Sequence, residues 1–135
     1  MSLQSLFSLK SLLSIFVTQM IIYYNPMCSK CREAVQILNK NKCEFTIREY
    51  LKKPPTKKEL RELLAKLGCK PIDIVRKKEP LFIKKFLKKK FEDEEWIQIL
   101  MEHPQLIERP IVIDGYKAVI GRPPELIIDL IRRKK

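Results

Sequence analysis

The run Ile21-Ile22-Tyr23-Tyr24 meets Asn25-Pro26, and Met27-Cys28-Ser29-Lys30-Cys31 follows. Apolar, β-branched and aromatic residues closed by an Asn-Pro pair predict a short buried strand stopped by a turn. Beyond the turn, Ala34, Ile37 and Leu38 recur at helical spacing between Ser29 and Asn39, with Lys30 and Glu33 on other faces. A second strand is predicted over 44–49, where Phe45 and Ile47 alternate with Thr46 and Arg48. Two strands joined by a single helix of this length form a βαβ unit, so they run parallel.

The reading extends toward the C-terminus. Pro54-Pro55-Thr56 opens a helix, with Thr56 as N-cap and Glu59 completing a capping box. Leu60, Leu63, Leu64 and Leu67 form its apolar stripe, and Gly68 ends it. Short helical fragments and turns follow over 71–90. Asp93 is placed to cap another helix bearing Trp96, Ile97, Leu100 and Met101, which stops at His103-Pro104. Arg109-Pro110 precedes a strand at Ile111-Val112-Ile113, Asp114-Gly115 signals a hairpin, and the chain returns over 117–120. Pro123-Pro124 starts a last helix with Leu126, Ile127, Leu130 and Ile131 on one face. The order is β-α-β, a helical middle, then β-β-α. It describes an α/β protein with a mixed four-stranded sheet and a helical insertion at about 54–104. No internal repeat is visible.

At 135 residues the chain has room for one domain, expected over 20–135 as a monomer. Its apolar fraction of 45% excludes a disordered chain. Residues 1–19 read as an extension: translation begins at Met20, the segment is dispensable, or it is a helix packed on the domain or an oligomer contact. Leu12, Leu13, Ile15, Phe16 and Val17 are too few to span a bilayer, and a basic start and small-residue cleavage site are missing, so no membrane role is expected. The net charge is +12. Residues 51–90 hold 15 basic and 4 acidic residues, a net of +11, which leaves +1 for the remainder. Such a block implies either a solvated lysine face or a surface for an anionic partner.

Four cysteines, Cys28, Cys31, Cys43 and Cys69, are too few for a disulfide scaffold, and a reduced, cytoplasmic protein is expected. Cys28 lies between a strand end and a helix start, where free N–H groups and the helix dipole favour a thiolate. Lys30 and Arg32 add positive charge nearby. Cys28 is therefore the candidate nucleophile, and Cys31, one turn on, the candidate resolving thiol. The other readings are two inert thiols, or a zinc half-site, for which a second ligand pair is missing. No metal is expected. His103, the only histidine, reads as a helix stop.

A β-α-β…β-β-α order with CxxC after the first strand resembles the thioredoxin-like plan, in which a cis-proline precedes the third strand and faces the active cysteine; Pro110 has that place. Tyr24-Asn25-Pro26-Met27-Cys28, Glu108-Arg109-Pro110-Ile111-Val112 and Gly121-Arg122-Pro123-Pro124-Glu125 resemble, in order, segments of the glutaredoxin-linked arsenate reductase family. Tyr50 to Pro55, Val75-Arg76-Lys77-Lys78 and Glu102-His103-Pro104 match in type, so the resemblance covers roughly 20–132. It implies that Cys28 attacks arsenate held by Arg76, Arg109 and Arg122, whose guanidinium forks suit a tetrahedral oxyanion. Asn25 and Ser29 are further candidates to hydrogen-bond the thiolate or oxyanion. No bound cofactor is implied; glutathione or another thiol is the co-substrate, with glutaredoxin or thioredoxin as partner. Family members often carry one cysteine in this loop. Cys31 makes the loop resemble the Spx-type transcription regulators as well, which bind RNA polymerase. The Arg122 segment favours the reductase side.

Overall fold

The computed structural model describes residues 19–133. All but the last residue of the 1–19 extension therefore lies outside the described residues. The strands are β1 (Met20–Tyr23), β2 (Phe45–Arg48), β3 (Ile111–Asp114) and β4 (Lys117–Ile120). The helices are α1 (Ser29–Lys40), α2 (Lys57–Leu67), α3 (Pro80–Lys85), α4 (Asp93–Glu102) and α5 (Glu125–Arg132), with 3₁₀ turns at Pro71–Ile74 and Pro104–Leu106. The sheet order is β2-β1-β3-β4. β1 and β2 are parallel, with Ile22 opposite Ile47; β3 runs antiparallel to β1 and β4, with Val112 between Ile22 and Val119. The thioredoxin-like reading of the sequence agrees with this mixed sheet.

Period-two alternation sorts the strand side chains onto two faces. Met20, Ile22 and Val112 point to one side, where they meet Ala34 and Leu38 of α1 and Ile127 and Leu130 of α5. Tyr23, Ile111 and Ile113 point to the other, against Leu60, Leu63 and Leu64 of α2 and Trp96, Ile97 and Leu100 of α4. The sheet is thus covered on both faces. Fully burying one such Leu or Ile side chain contributes about 1.5–3 kcal/mol relative to leaving it exposed.

Local chemistry explains the element ends. Thr56 Oγ1 accepts from the Glu59 N–H at 3.1 Å, and Glu59 Oε1 accepts from the Thr56 N–H at 3.0 Å. Gly68 closes α2 at φ 68°, in the left-handed region that favours glycine. Four sequence expectations shift. Glu92, not Asp93, caps α4, because Glu95 reaches back to accept from the Glu92 N–H. The hairpin loop is Gly115-Tyr116, one residue later than the Asp-Gly signal, since Asp114 still pairs with Lys117. Gly115 has φ 61° and Tyr116 a negative φ, as a two-residue turn with glycine first requires. On edge strand β2, Ile47 is 45% exposed while the Arg48 side chain is only 18% exposed. Arg48 turns inward because Glu59 meets it, Nη1 to Oε2 at 2.7 Å and Nη2 to Oε1 at 3.2 Å. Leu126 of α5 is exposed at its first turn, ahead of the buried Ile127 and Leu130. Among the described residues, no helix is long and apolar enough to cross a membrane.

Candidate active site

The turn after β1 delivers Cys28 to the start of α1. Asn25 makes that turn in two ways: its backbone carbonyl accepts from the Cys28 N–H at 3.0 Å, and its side-chain Oδ1 accepts from the Met27 N–H at 3.0 Å. Arg32, one turn into α1, donates to the Pro26 carbonyl at 2.8 Å and ties the loop from the other side. Cys28 is the N-cap residue of α1, with its carbonyl already accepting from the Arg32 N–H. It is buried, and Cys31 is fully buried. All four cysteines are free thiols.

The arginines arrive from distant parts of the chain. Ile111 pairs with Tyr23, so the segment entering β3 runs beside the end of β1 and brings Arg109 to the cysteine loop. The Arg109–Pro110 and Arg122–Pro123 peptide bonds are both cis. The chain leaving β4 folds back on this segment: Gly121 N–H donates to the Pro110 carbonyl at 2.8 Å, and Arg122 Nε to the Arg109 carbonyl at 2.6 Å. Gly121 is needed for that close approach, because a Cβ there would lie 2.6 Å from Ile127 Cδ1 and 3.1 Å from Pro110 Cγ. Arg122 thereby extends Nη2 to 3.9 Å from Cys28 Sγ.

Arg76 is brought in by an isolated antiparallel bridge between Val75 and Ile107. Its N–H donates to the Leu106 carbonyl at 2.7 Å, and its Nη1 to the Gln105 carbonyl at 3.1 Å. The same Nη1 pairs with Glu79 at 2.8 Å. Arg76, Lys77, Lys78, Glu108 and Arg122 line a cleft of about 360 Å³. Arg122 therefore belongs both to this basic cleft and to the surroundings of Cys28. Ser29 is exposed at the first position of α1, and the Asn25 side chain is engaged in the turn. Neither side chain bonds to Cys28 Sγ. Among the described residues, no group of three or more His, Cys, Asp or Glu side chains gathers as metal ligands would.

The electrostatics separate the two thiols. Burial pushes the Cys28 thiol up, but a hydrogen bond from Arg109, the backbone N–H and thiol of Cys31, and the Arg109 charge together bring it down to about 7. The Cys31 N–H is one of the free donors of the α1 N-terminus. Lys30 pairs with Glu33 at 3.4 Å and Arg32 with Pro26, so the lowering comes from Arg109 rather than from the neighbours read in the sequence. Burial raises Cys31 to about 11, and its hydrogen bond to the negative Cys28 adds to the rise. Cys28 is thus the thiol that ionises near neutral pH, beside a Cys31 that keeps its proton.

Two features carry no signal in the sequence. Arg109 Nε is buried with no hydrogen-bond partner among the described residues. So is the hydroxyl of Tyr50, a fully buried residue stacked on Tyr23 at 6.0 Å between ring centroids. Burial raises Tyr50 to about 12, and it feels the charges of Arg109, Cys31, Arg76 and Cys28. It keeps its proton within electrostatic range of both thiols and two of the arginines. Tyr50 follows a strand and precedes Pro54-Pro55 among charged neighbours, so its burial near the cysteines is decided by the fold.

Comparison with known proteins identifies the family. An arsenate reductase from Haemophilus influenzae is 39% identical over 113 residues, 82% of this chain and 97% of the relative. An arsenate reductase from Escherichia coli K12 is 33% identical over 116 residues, 85% of this chain and 82% of the relative. The structure of an arsenate reductase from Vibrio cholerae superposes with a TM-score of 0.78 at 35% identity, covering 84% of this chain and 98% of that one. The ArsC family model matches residues 23–130, from the end of β1 into α5 and through every segment that builds the site, and the chain belongs to the ArsC family.

Proposed function

We propose that this protein is a thiol-dependent arsenate reductase. The observation that carries the reading is Cys28, a thiol at a helix N-terminus that Arg109 helps bring down to about 7, with Arg122 Nη2 at 3.9 Å from its sulfur. Arsenate docks through Arg76, Arg109 and Arg122. The buried, unpartnered Nε of Arg109 has a donor to offer an oxyanion oxygen. The Cys28 thiolate attacks arsenic, an S–As bond forms, and an oxygen leaves as water after protonation. The Arg76 and Arg122 guanidiniums neutralise charge that would otherwise repel the incoming thiolate.

A second thiolate then attacks Sγ of Cys28. The S–As bond breaks, its electron pair stays on arsenic, and arsenite departs as a disulfide forms on Cys28. The two thiols together supply the two electrons. Cys31 is the intramolecular choice: being fully buried, it can reach Cys28 but not a solution partner. Once Cys28 carries arsenic it is no longer anionic, and one cause of the high Cys31 pKa disappears. A glutathione-type thiol would attack the same Cys28 sulfur from solution. Glutaredoxin or thioredoxin would then restore the dithiol. The relatives named above are arsenate reductases, and nothing in the site favours the regulator reading.

The test is a coupled assay with arsenate and glutathione, run once with glutaredoxin and once with thioredoxin. Turnover is expected with at least one of them and none for Cys28→Ser. No turnover in either system with Cys28 reduced overturns the reading.

A further inference from the structure

Of the basic block, only Arg76, Lys77 and Lys78 line the cleft of the site. From Lys77 to Lys90 the chain carries seven lysines, one acid and no arginine. All seven lysines are exposed, and none forms an ion pair among the described residues. The one acid, Glu79, is already held by Arg76. Among these lysines Ile83 and Leu87 stand 54% and 55% exposed. Beside them is a groove of about 370 Å³, floored by Phe82, Phe86, Phe91 and Trp96 and rimmed by Lys70, Lys89 and Lys90. The floor is a rigid aromatic cluster, with Phe91 edge-on to Trp96 at 5.0 Å and Phe82 stacked on Trp96 at 6.2 Å. The acidic first turn of α4 is mostly engaged: Glu94 meets Arg61 at 2.6 Å, and Glu95 accepts from the Glu92 N–H. Asp93 alone adds a negative charge to the groove wall.

We infer that the α3 face and its aromatic groove form a docking surface for an acidic segment of another protein, one that carries a bulky aliphatic or aromatic anchor. The anchor fills the groove against Phe86 and Trp96, and carboxylates on either side meet the unpaired lysines. A nucleic acid fits less well. The groove rings are buried or half-buried, so no aromatic face is free to stack a base, and no arginine offers a phosphate fork. A lipid surface fits less well too, since the apolar area is a concave groove and lacks the exposed aromatics of an interfacial helix. The inference concerns a binding surface apart from Cys28, so it stands or falls independently of arsenate turnover.

Trp96 is the sole tryptophan and lies in the groove floor, so its fluorescence reports occupancy directly. The probe is a synthetic glutamate-rich peptide with spaced leucines, titrated into the full chain at low salt. A saturable change in Trp96 emission is expected. Affinity should fall about tenfold or more in Lys84→Glu/Lys85→Glu/Lys88→Glu, in Leu87→Ser, and with a peptide whose leucines are serines. Circular dichroism of the charge-reversed protein should match the parent, because those lysines make no contact that holds the fold. No saturable change overturns the inference. So does equal binding of the leucine-free peptide, or stronger binding of phosphatidylserine vesicles or single-stranded RNA.

Discussion

Cys28 and Cys31 are the same side chain three residues apart, yet their environments push them in opposite directions. The difference is one of partners: Cys28 receives hydrogen bonds from Arg109 and Cys31, whereas Cys31 is sealed in the core and gives its proton's bond to Cys28. The sign of a test follows. Arg109 stabilises the charged form, so Arg109→Ala should raise the Cys28 pKa from about 7 toward the ordinary value of 9.0. The pH profile of iodoacetamide alkylation should shift upward accordingly, and arsenate turnover at neutral pH should fall about 100-fold or more. Tyr50 offers a second test. Its buried hydroxyl has no partner among the described residues, and an unmet buried donor costs about 1–3 kcal/mol. Tyr50→Phe should therefore leave stability unchanged or raise it in a urea melt, whereas truncation of a hydrogen-bonded tyrosine would lower it.

At the scale of elements, the link between β2 and α2 is an electrostatic joint. Glu59 closes the capping box of α2 and takes a two-point contact from Arg48 of β2. The Arg48 hydrogen bonds hold the Glu59 carboxyl down to about 2, from an ordinary 4.5. Because the folded value is the lower one, the pair's stabilisation is fully present above about 4.5 and fades as pH falls toward 2. The Glu59 side chain is 36% exposed, so solvent screening limits the effect. Glu59→Gln should cost about 1 kcal/mol at neutral pH, and the difference from the parent should vanish near pH 2, as acid titrations of both proteins would record. The capping box was plain in Thr56-x-x-Glu59, because it is local. The partner of Glu59 was not, because Arg48 lies on an edge strand where simple alternation assigns it to solvent.

Over the whole molecule, the sheet separates two cores, and the site is built where the turn after β1, the entry to β3 and the exit from β4 converge at one end of it. Stability and chemistry are therefore divided. Leu100 is fully buried in the core formed with α2 and α4, on the sheet face away from α1. Leu100→Ala should lose about 2–5 kcal/mol of unfolding free energy in denaturant. The Cys28 alkylation profile should stay unchanged at temperatures where the variant remains folded.

The sequence alone determined what depends on near neighbours. Strand alternation, helical spacing, the α2 capping box, the Gly68 stop and the place of Cys28 at a strand-to-helix turn are all written within a few residues of one another. The family segments around Cys28, Arg109 and Arg122 added the plan of the sheet. Only the tertiary structure decided which charges act on which thiol. Arg109 and Arg122 are 81 and 94 residues from Cys28 along the chain, and their reach to its sulfur is set by sheet pairing and by the contacts of Gly121 and Arg122 with the Pro110 segment. The same holds for the +12. Its concentration in the middle of the chain is a matter of composition, but whether those lysines are neutralised by acids or left open depends on which surfaces the fold brings together. Electrostatic effects follow distance in space, and a linear pattern cannot report that distance.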